Sequence, residues 1–253
     1  MGGVTDRPKK TLFITGDSTT GLNPPSERYG NKVSWGDVFG DQVDEAVCKF
    51  QNEAIPGFSL RDFFHRGRIK EIFRKAKEGD ILLACHGHLE GTPLTRENDR
   101  ARGCLPGIGD HKVIVYDAFF DREEVIRTFE WYVKEYIRIC REAGVVLVLL
   151  SPPVRCVWVN GKISRVRSLG FAQIMKTVSD SLGAIFLDFG SITEIYLNSI
   201  GPKCGNLLYL MEDDQIHTNS DGARVFSKLL ASSLLNKYPE ALGKFLKLSP
   251  PTI

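Results

Sequence analysis

Two short segments near opposite ends of the chain carry residue types that can do covalent chemistry. The first is Phe13-Ile14-Thr15-Gly16-Asp17-Ser18-Thr19-Thr20, in which a serine directly follows an apolar run. A hydroxyl placed there stands at the rim of a sheet, and backbone N–H groups of the following turn can point at an anion beside it. Gly-Asp-Ser is also common loop chemistry, and on its own the tripeptide reads more simply as a plain turn. The second segment is Asp214-Gln215-Ile216-His217. This spacing lets the carboxylate fold back onto its own imidazole, fix its tautomer and stabilise the imidazolium, while the other ring nitrogen faces a serine. Glu212 and Asp213 are neighbouring carboxylates, and the spacing favours Asp214. The plainer reading is a solvated acidic turn that caps the next helix. His86, His88 and His217 fall at strand ends or in loops, whereas His65 and His111 read as surface residues.

For Ser18 and His217 to meet, the chain must close on itself across nearly its full length. Short apolar runs of strand length occur at Thr11–Thr15, Lys49–Ala54, Asp80–His86, Val145–Leu150 and Ala184–Phe189. Between and after them, Trp35–Val47, Leu60–Ala76 (capped by Ser59), Arg122–Ala143, Ser164–Leu182 and Ser220–Leu235 read as helices. The alternation predicts one α/β domain over residues 1–253, a doubly wound, flavodoxin-like sheet of about five parallel strands flanked by helices. Residues 1–10 read as a flexible N-terminus and 244–253 as a C-terminal tail. Gly87 to Ala118, rich in Gly, Pro, Arg and Asp, reads as a long functional insertion, with Gly103 to Gly109 as a mobile lid. In such sheets sites lie beyond the carboxyl ends of the strands.

Composition narrows the function classes. The chain has 253 residues, 42% hydrophobic and 25% charged, with 33 basic against 31 acidic side chains and a net charge of +2. That balance does not, by charge alone, suggest a surface for nucleic acid or membrane, and neither is expected as a partner. No run approaches the ~20 apolar residues of a membrane span, and Leu12–Thr15 falls short of the roughly 7–15-residue core of a secretory signal. Cys48, Cys85, Cys104, Cys140, Cys156 and Cys204 lie far apart without a C-x-x-C pair, against zinc and against a dense disulfide framework. These features predict a cytoplasmic protein; a secreted one whose signal is absent from this sequence is the alternative.

Taken together, Gly16-Asp17-Ser18 after the first strand and Asp214-x-x-His217 before the last helix resemble the GDSL-like, or SGNH, hydrolase superfamily, and within it the rhamnogalacturonan acetylesterase-type branch. Further matches follow in order: Trp35-Gly36, Asn52-Glu53-Ala54-Ile55-Pro56-Gly57-Phe58-Ser59, Gly67-Arg68 and Glu78-Gly79-Asp80. Asn98-Asp99-Arg100, Pro106-Gly107, Ser151-Pro152-Pro153, His217-Thr218 and Gly222-Ala223 complete them. The resemblance implies the SGNH hydrolase fold. It implies Ser18 as nucleophile, His217 as the base that takes and returns its proton, and Asp214 as the group that orients His217. It also implies an oxyanion hole built on the N–H groups of Ser18 and Gly57, and no metal or organic cofactor.

The third block departs from the family. Where the family has Gly-x-Asn-[Asp/Glu], with the asparagine amide as a third oxyanion donor, this chain has Gly87-His88-Leu89-Glu90. Leucine donates nothing. Asp17, Gly57, His88, Leu89 and Glu90 therefore make up the expected oxyanion and substrate-contact set, with His88 or His86 as replacement donors. The leading expectation is a serine esterase removing a short, acetyl-like acyl group from a hydroxylated small molecule or sugar. Leu89 could instead line an apolar pocket for a tailoring enzyme of secondary metabolism, non-hydrolytic or acyl-transferring, or mark an inactive binding protein. Arg155, Lys162, Arg165 and Arg167 could receive an acidic glycan, or simply solvate a helix entry. Trp158 could stack on a ligand or cover the sheet edge.

Overall fold

The computed structural model describes residues 9–22, 30–211 and 214–247, with the backbone alone at 166–168. Its strands are β1 (Lys10–Gly16), β2 (Cys48–Asn52), β3 (Ile81–Cys85), β4 (Lys112–Asp117), β5 (Arg122–Arg127), β6 (Val146–Leu150), β7 (Trp158–Val159), β8 (Lys162–Ile163), β9 (Ile185–Leu187), β10 (Tyr209–Met211) and β11 (Asp214–Thr218). The principal helices are α1 (Leu60–His65), α2 (Arg68–Lys75), α3 (Phe129–Glu142), α4 (Val166–Leu182), α5 (Phe189–Asn206) and α6 (Ser220–Lys237).

Strands β2-β1-β3-β6-β9, in that order, form a five-stranded sheet, parallel throughout. The runs that build β1, β3 and β6 are continuously apolar because both of their faces are covered. Leu12, Ile14, Leu83 and Leu150 face Trp35, Phe39, Phe189, Phe226 and Leu230 on one side. Phe13, Leu82, Ala84 and Leu149 face Phe63, Ile72, Phe129, Tyr136 and Met175 on the other. The chain leaves β1 for β2 on one flank and returns to β3 on the opposite flank. This reversal opens a crevice beyond the carboxyl ends of β1 and β3, and the register that pairs Gly16 with Cys85 brings those two ends level.

Several expected boundaries move, each for a local reason. Trp35–Val47 is two short 3-10 turns, Trp35–Asp37 and Phe39–Gln42, rather than a helix. Gly36 lies so near the Thr20 carbonyl that a Cβ would stand 2.2 Å from it. The Leu60–Ala76 segment breaks at Gly67, whose φ of +76° is left-handed and ends α1. Ser59 does cap α1, its hydroxyl accepting from the Asp62 amide. The long helix begins at Phe129, capped by Thr128, and not at Arg122. Arg122–Arg127 instead pairs antiparallel with Lys112–Asp117, so the expected loop carries a hairpin. The alternation shows in its burial: Ile126 is fully buried while Val125 is exposed.

Ala101, Arg102, Gly103 and Cys104 are buried, and Gly103 donates to the Pro93 carbonyl and Cys104 to that of Glu90. The first part of the expected lid is thus fixed in place. Residues 244–247 of the expected tail are also anchored, with Phe245 and Leu246 buried and Leu246 bridged to Val43. Lys10, expected within a flexible N-terminus, is instead in β1 and pairs with Cys48; residues 1–8 and 248–253 lie outside the described residues. Helix α5, which the sequence reading left out, contains Gly201 with non-helical backbone and Pro202. Among the described residues no helix is long and apolar enough to cross a membrane.

Candidate active site

At the end of β1 there is no room for a side chain at residue 16. A Cβ on Gly16 would lie 2.4 Å from Thr20 Oγ1 and 2.6 Å from the Cys85 carbonyl. The chain then turns on Asp17. Its carbonyl accepts the N–H groups of Thr20 and Gly21 at 3.0 Å each, and its Oδ1 accepts the Thr19 amide at 2.8 Å and hydroxyl at 2.7 Å. These bonds hold the backbone on either side of Ser18, whose own amide is not among the donors to Asp17.

The partner arrives on β11. Asp214 Oδ1 accepts the amides of Ile216 at 3.1 Å and His217 at 3.0 Å, an Asx turn that folds the carboxylate over its own histidine. Asp214 Oδ2 lies 2.9 Å from His217 Nδ1, and His217 Nε2 lies 2.8 Å from Ser18 Oγ. A carboxylate only accepts, so Nδ1 carries the proton and Nε2 presents a lone pair to the serine hydroxyl.

One short segment grips both halves. Lys32 Nζ is 2.7 Å from Asp214 Oδ2. Val33 donates to the Thr218 carbonyl at 3.1 Å and its own carbonyl accepts the Thr218 hydroxyl at 2.6 Å. Ser34 Oγ donates to the Ser18 carbonyl at 2.5 Å. Burial pushes the Asp214 carboxyl toward its neutral form. Lys32, the His217 amide and the imidazole outweigh that and hold it well below the usual carboxylate range.

A second turn closes the site. Phe58 N–H donates to the Ile55 carbonyl at 3.1 Å, with Pro56 and Gly57 between them and Gly57 at φ +81°. Proline then glycine at these positions is the pattern of a type II turn, and the Gly57 N–H is left out of the turn's own hydrogen bond. Ser18, His217, Gly57, Lys32, Leu89 and Arg100 all line one open pocket of about 560 Å³, together with Ile55, Pro56, Phe58, Thr92, Arg96, Asp99 and Ala101.

No family model matches the chain. It is 28% identical over 219 residues to a rhamnogalacturonan acetylesterase of Emericella nidulans, covering 85% of this chain and 81% of that protein. It is 26% identical over 250 residues to the rhamnogalacturonan acetylesterase RhgT of Bacillus subtilis, covering 93% and 92% respectively. Among solved structures, the Bacillus subtilis protein YxiM superposes with a TM-score of 0.70 at 22% identity; 92% of this chain is covered, and it spans 58% of that one. These relatives support an SGNH hydrolase near the rhamnogalacturonan acetylesterase branch of that superfamily.

Of the third block's expected contact residues, only Leu89 lines the cavity. Asp17, His88 and Glu90, expected among the substrate contacts, stand behind the lining instead. Asp17 organises the nucleophile turn. His88 Nε2 donates to the Pro153 carbonyl at 3.0 Å, and its Nδ1 faces Thr19 Oγ1 at 3.3 Å. Burial favours the neutral form of His88. Glu90 is buried, with Oε1 accepting the Leu60 amide at 2.9 Å and Oε2 that of Leu89 at 3.0 Å. Burial pushes its carboxyl up to about 7.

His86 is also no replacement donor. It is 2% exposed, packed edge-on against Phe63, and burial lowers it to about 4. His65 is not a surface residue: it bridges Glu124, 3.1 Å from Nδ1, and the Tyr132 hydroxyl, 2.9 Å from Nε2.

The basic cluster after β6 does not converge on the pocket. Arg165 pairs with Asp188 at 2.6 Å, and Trp158 donates to Asn206 at 2.9 Å; the Arg167 side chain lies outside the described residues. The cations that line the cavity are Lys32, Arg96 and Arg100. Sequence reasoning named Arg100 only within the matched segment Asn98-Asp99-Arg100 and missed Lys32 and Arg96, which no spacing connects to either motif.

Proposed function

We propose that this SGNH hydrolase is a serine acetylesterase that removes acetyl groups from a sugar substrate, with Ser18, His217 and Asp214 as its triad. The observation that carries the reading is the unbroken chain of contacts from Asp214 through His217 to Ser18 Oγ inside a pocket. His217 Nε2 takes the hydroxyl proton as Ser18 Oγ attacks the ester carbonyl, and the tetrahedral oxyanion is received by the amides of Ser18 and Gly57. The imidazolium returns the proton to the departing sugar oxygen. Water, deprotonated by the same imidazole, then releases acetate from the acyl-serine. Asp214 stays ionised throughout and balances the imidazolium.

The relatives named as rhamnogalacturonan acetylesterases support a sugar-borne acetyl ester. Lys32, Arg96 and Arg100 around the pocket suit a substrate carrying acidic groups. The test is acetate release from acetylated rhamnogalacturonan, acetylated xylan and p-nitrophenyl acetate, alongside fluorophosphonate labelling of the serine. Labelling confined to Ser18 and acetate release from the acidic polymer are expected. Absence of both would end the reading.

Leu89 favours a second reading on the same triad. With Ile55, Pro56 and Phe58 it presents an apolar wall, which suits an acyl group longer than acetyl or an alcohol acceptor in place of water. A p-nitrophenyl ester series from acetate to octanoate separates the two, the acetylesterase reading requiring the highest kcat/KM on acetate. A cytoplasmic site of action accompanies the proposal; the six cysteines, all unbridged thiols, support it.

A further inference from the structure

Lys32 belongs to no recognised block of the sequence, yet its ammonium touches the carboxylate of the triad. We propose that Lys32 is a positioning residue that acts by charge: through Asp214 it opposes protonation of His217 and keeps the imidazole basic to lower pH. The inference rests on the triad reading above.

The argument is one of redundancy. Asp214 Oδ1 is already held by two backbone amides, and both carboxylate oxygens lie within 3.0 Å of His217 Nδ1. Orientation of the carboxylate is therefore secured without Lys32. What Lys32 adds at 2.7 Å is a full positive charge. A lone carboxylate beside an imidazole favours the imidazolium, which is useful in the transition state but removes the general base as pH falls. An ammonium on the far oxygen offsets part of that attraction.

The pair is 30% and 21% exposed at its side chains, so water weakens the effect without abolishing it. The lysine cannot drift far, because the next two residues are fastened to Thr218 and Ser18. Among the described residues, the other charged groups around the site are Asp17, His88, Glu90, Arg96, Asp99 and Arg100. Asp17 and His88 lie behind the nucleophile turn. Asp99 is paired with Arg66, Arg96 donates to the Ala101 carbonyl, Arg100 lines the same pocket, and Glu90 is buried behind Leu89, bonded to the Leu60 and Leu89 amides. The Asp214 carboxyl, held ionised well below the usual carboxylate range, is consistent with a cation in close contact.

The test is the pH profile of kcat/KM for p-nitrophenyl acetate in the full chain, for wild type, Lys32→Met, Lys32→Gln and Lys32→Arg. Its acid limb reports protonation of the free enzyme's base. In Lys32→Met and Lys32→Gln the limb is expected to move up by about half to one pH unit. Activity near pH 5.5 would then drop about threefold to tenfold relative to each variant's own plateau. Lys32→Arg restores the wild-type limb. Raising salt to about 1 M, where screening acts over roughly 3 Å, shifts the wild-type limb toward that of the variants and leaves theirs in place; this arm needs no variant to fold.

Limbs that coincide in all four proteins overturn the proposal. So does a shift in Lys32→Met that Lys32→Gln, which keeps a donor but no charge, fails to show. Ser18→Ala, run in parallel, separates this inference from the one beneath it. If that variant is inactive while the limbs coincide, the role of Lys32 alone is refuted; if it stays active, the triad itself is.

Discussion

Beyond β1 the chain needs four residues, Asp17 to Thr20, to build its side of the crevice, and most of their hydrogen bonds are to one another or to the neighbouring 34–36 segment. Beyond β3 it travels through more than twenty residues before the hairpin, and it is fastened from a distance by charge. Arg61 donates to the carbonyls of Leu94 and Gly103, and Arg102 pairs with Asp117 inside the protein. Glu90 ties Leu89 to the start of α1. The first side is locally determined and carries Ser18, the proposed nucleophile. The second depends on buried ion pairs rather than on its pocket-facing side chain, and it is here that the family's asparagine has become Leu89. A loop held from behind can exchange what it shows to the substrate without losing its shape.

Breaking the first side should abolish chemistry and spare the fold. Ser18→Ala is expected to lower kcat/KM for acetyl esters by about 10³-fold or more with an unchanged melting temperature, read by steady-state kinetics and thermal unfolding. Breaking the second should do the reverse. Arg102→Met leaves Asp117 buried and uncompensated, and a loss of about 3–5 kcal/mol in urea unfolding is expected, with the Ser18 turn intact.

His86 stands where the two sides meet, against Thr15 of β1 and Phe63 of α1. Between about pH 4 and the ordinary histidine value near 6.5, the unfolded chain binds a proton that the buried ring refuses. The His86 contribution to stability should therefore fall as pH is lowered through that window, by at most about 1.4 kcal/mol per unit, while Glu90, its carboxyl pushed up to about 7, contributes in the opposite sense. Between pH 7 and 5, His86→Gln should lose less stability, or gain more, than the wild type, as followed by urea midpoints at pH 7, 6 and 5. The smallest effect sharpens the comparison most. Leu89→Asn is expected to raise kcat on p-nitrophenyl acetate by about tenfold, below the ~10²–10³ of a fully engaged oxyanion donor, while weakening hydrolysis of longer esters. No change on either substrate would mean that the third position has no part in oxyanion or acyl binding.

The parts visible from sequence are those governed by short-range rules. Continuous apolar runs marked β1, β3 and β6 because both sheet faces are covered, Ser59 announced α1, and Asp214-x-x-His217 described an Asx turn that needs only three residues. What stayed hidden depends on long-range partners. Val125 and Ile126 suit a helix stripe as well as a strand, and only pairing with Ile114 and Val113 decides between them. Helix α5 carries Gly201 and Pro202, residues that argue against a helix until its packing is known. Lys32 lies 182 residues from the carboxylate it touches, in a stretch whose composition gives no hint of a site.

The three consecutive residues Lys32, Val33 and Ser34 act as a gauge block between two motifs that are 199 residues apart. Each reaches a different component: the Asp214 carboxylate, the strand that bears His217, and the carbonyl of Ser18. A one-residue insertion or deletion there would pass every contact to the wrong neighbour and leave Gly-Asp-Ser and Asp-x-x-His letter-perfect. Among chains of this architecture, intact motifs are thus an incomplete certificate of activity, and the spacing of an unremarkable tripeptide belongs on it as well.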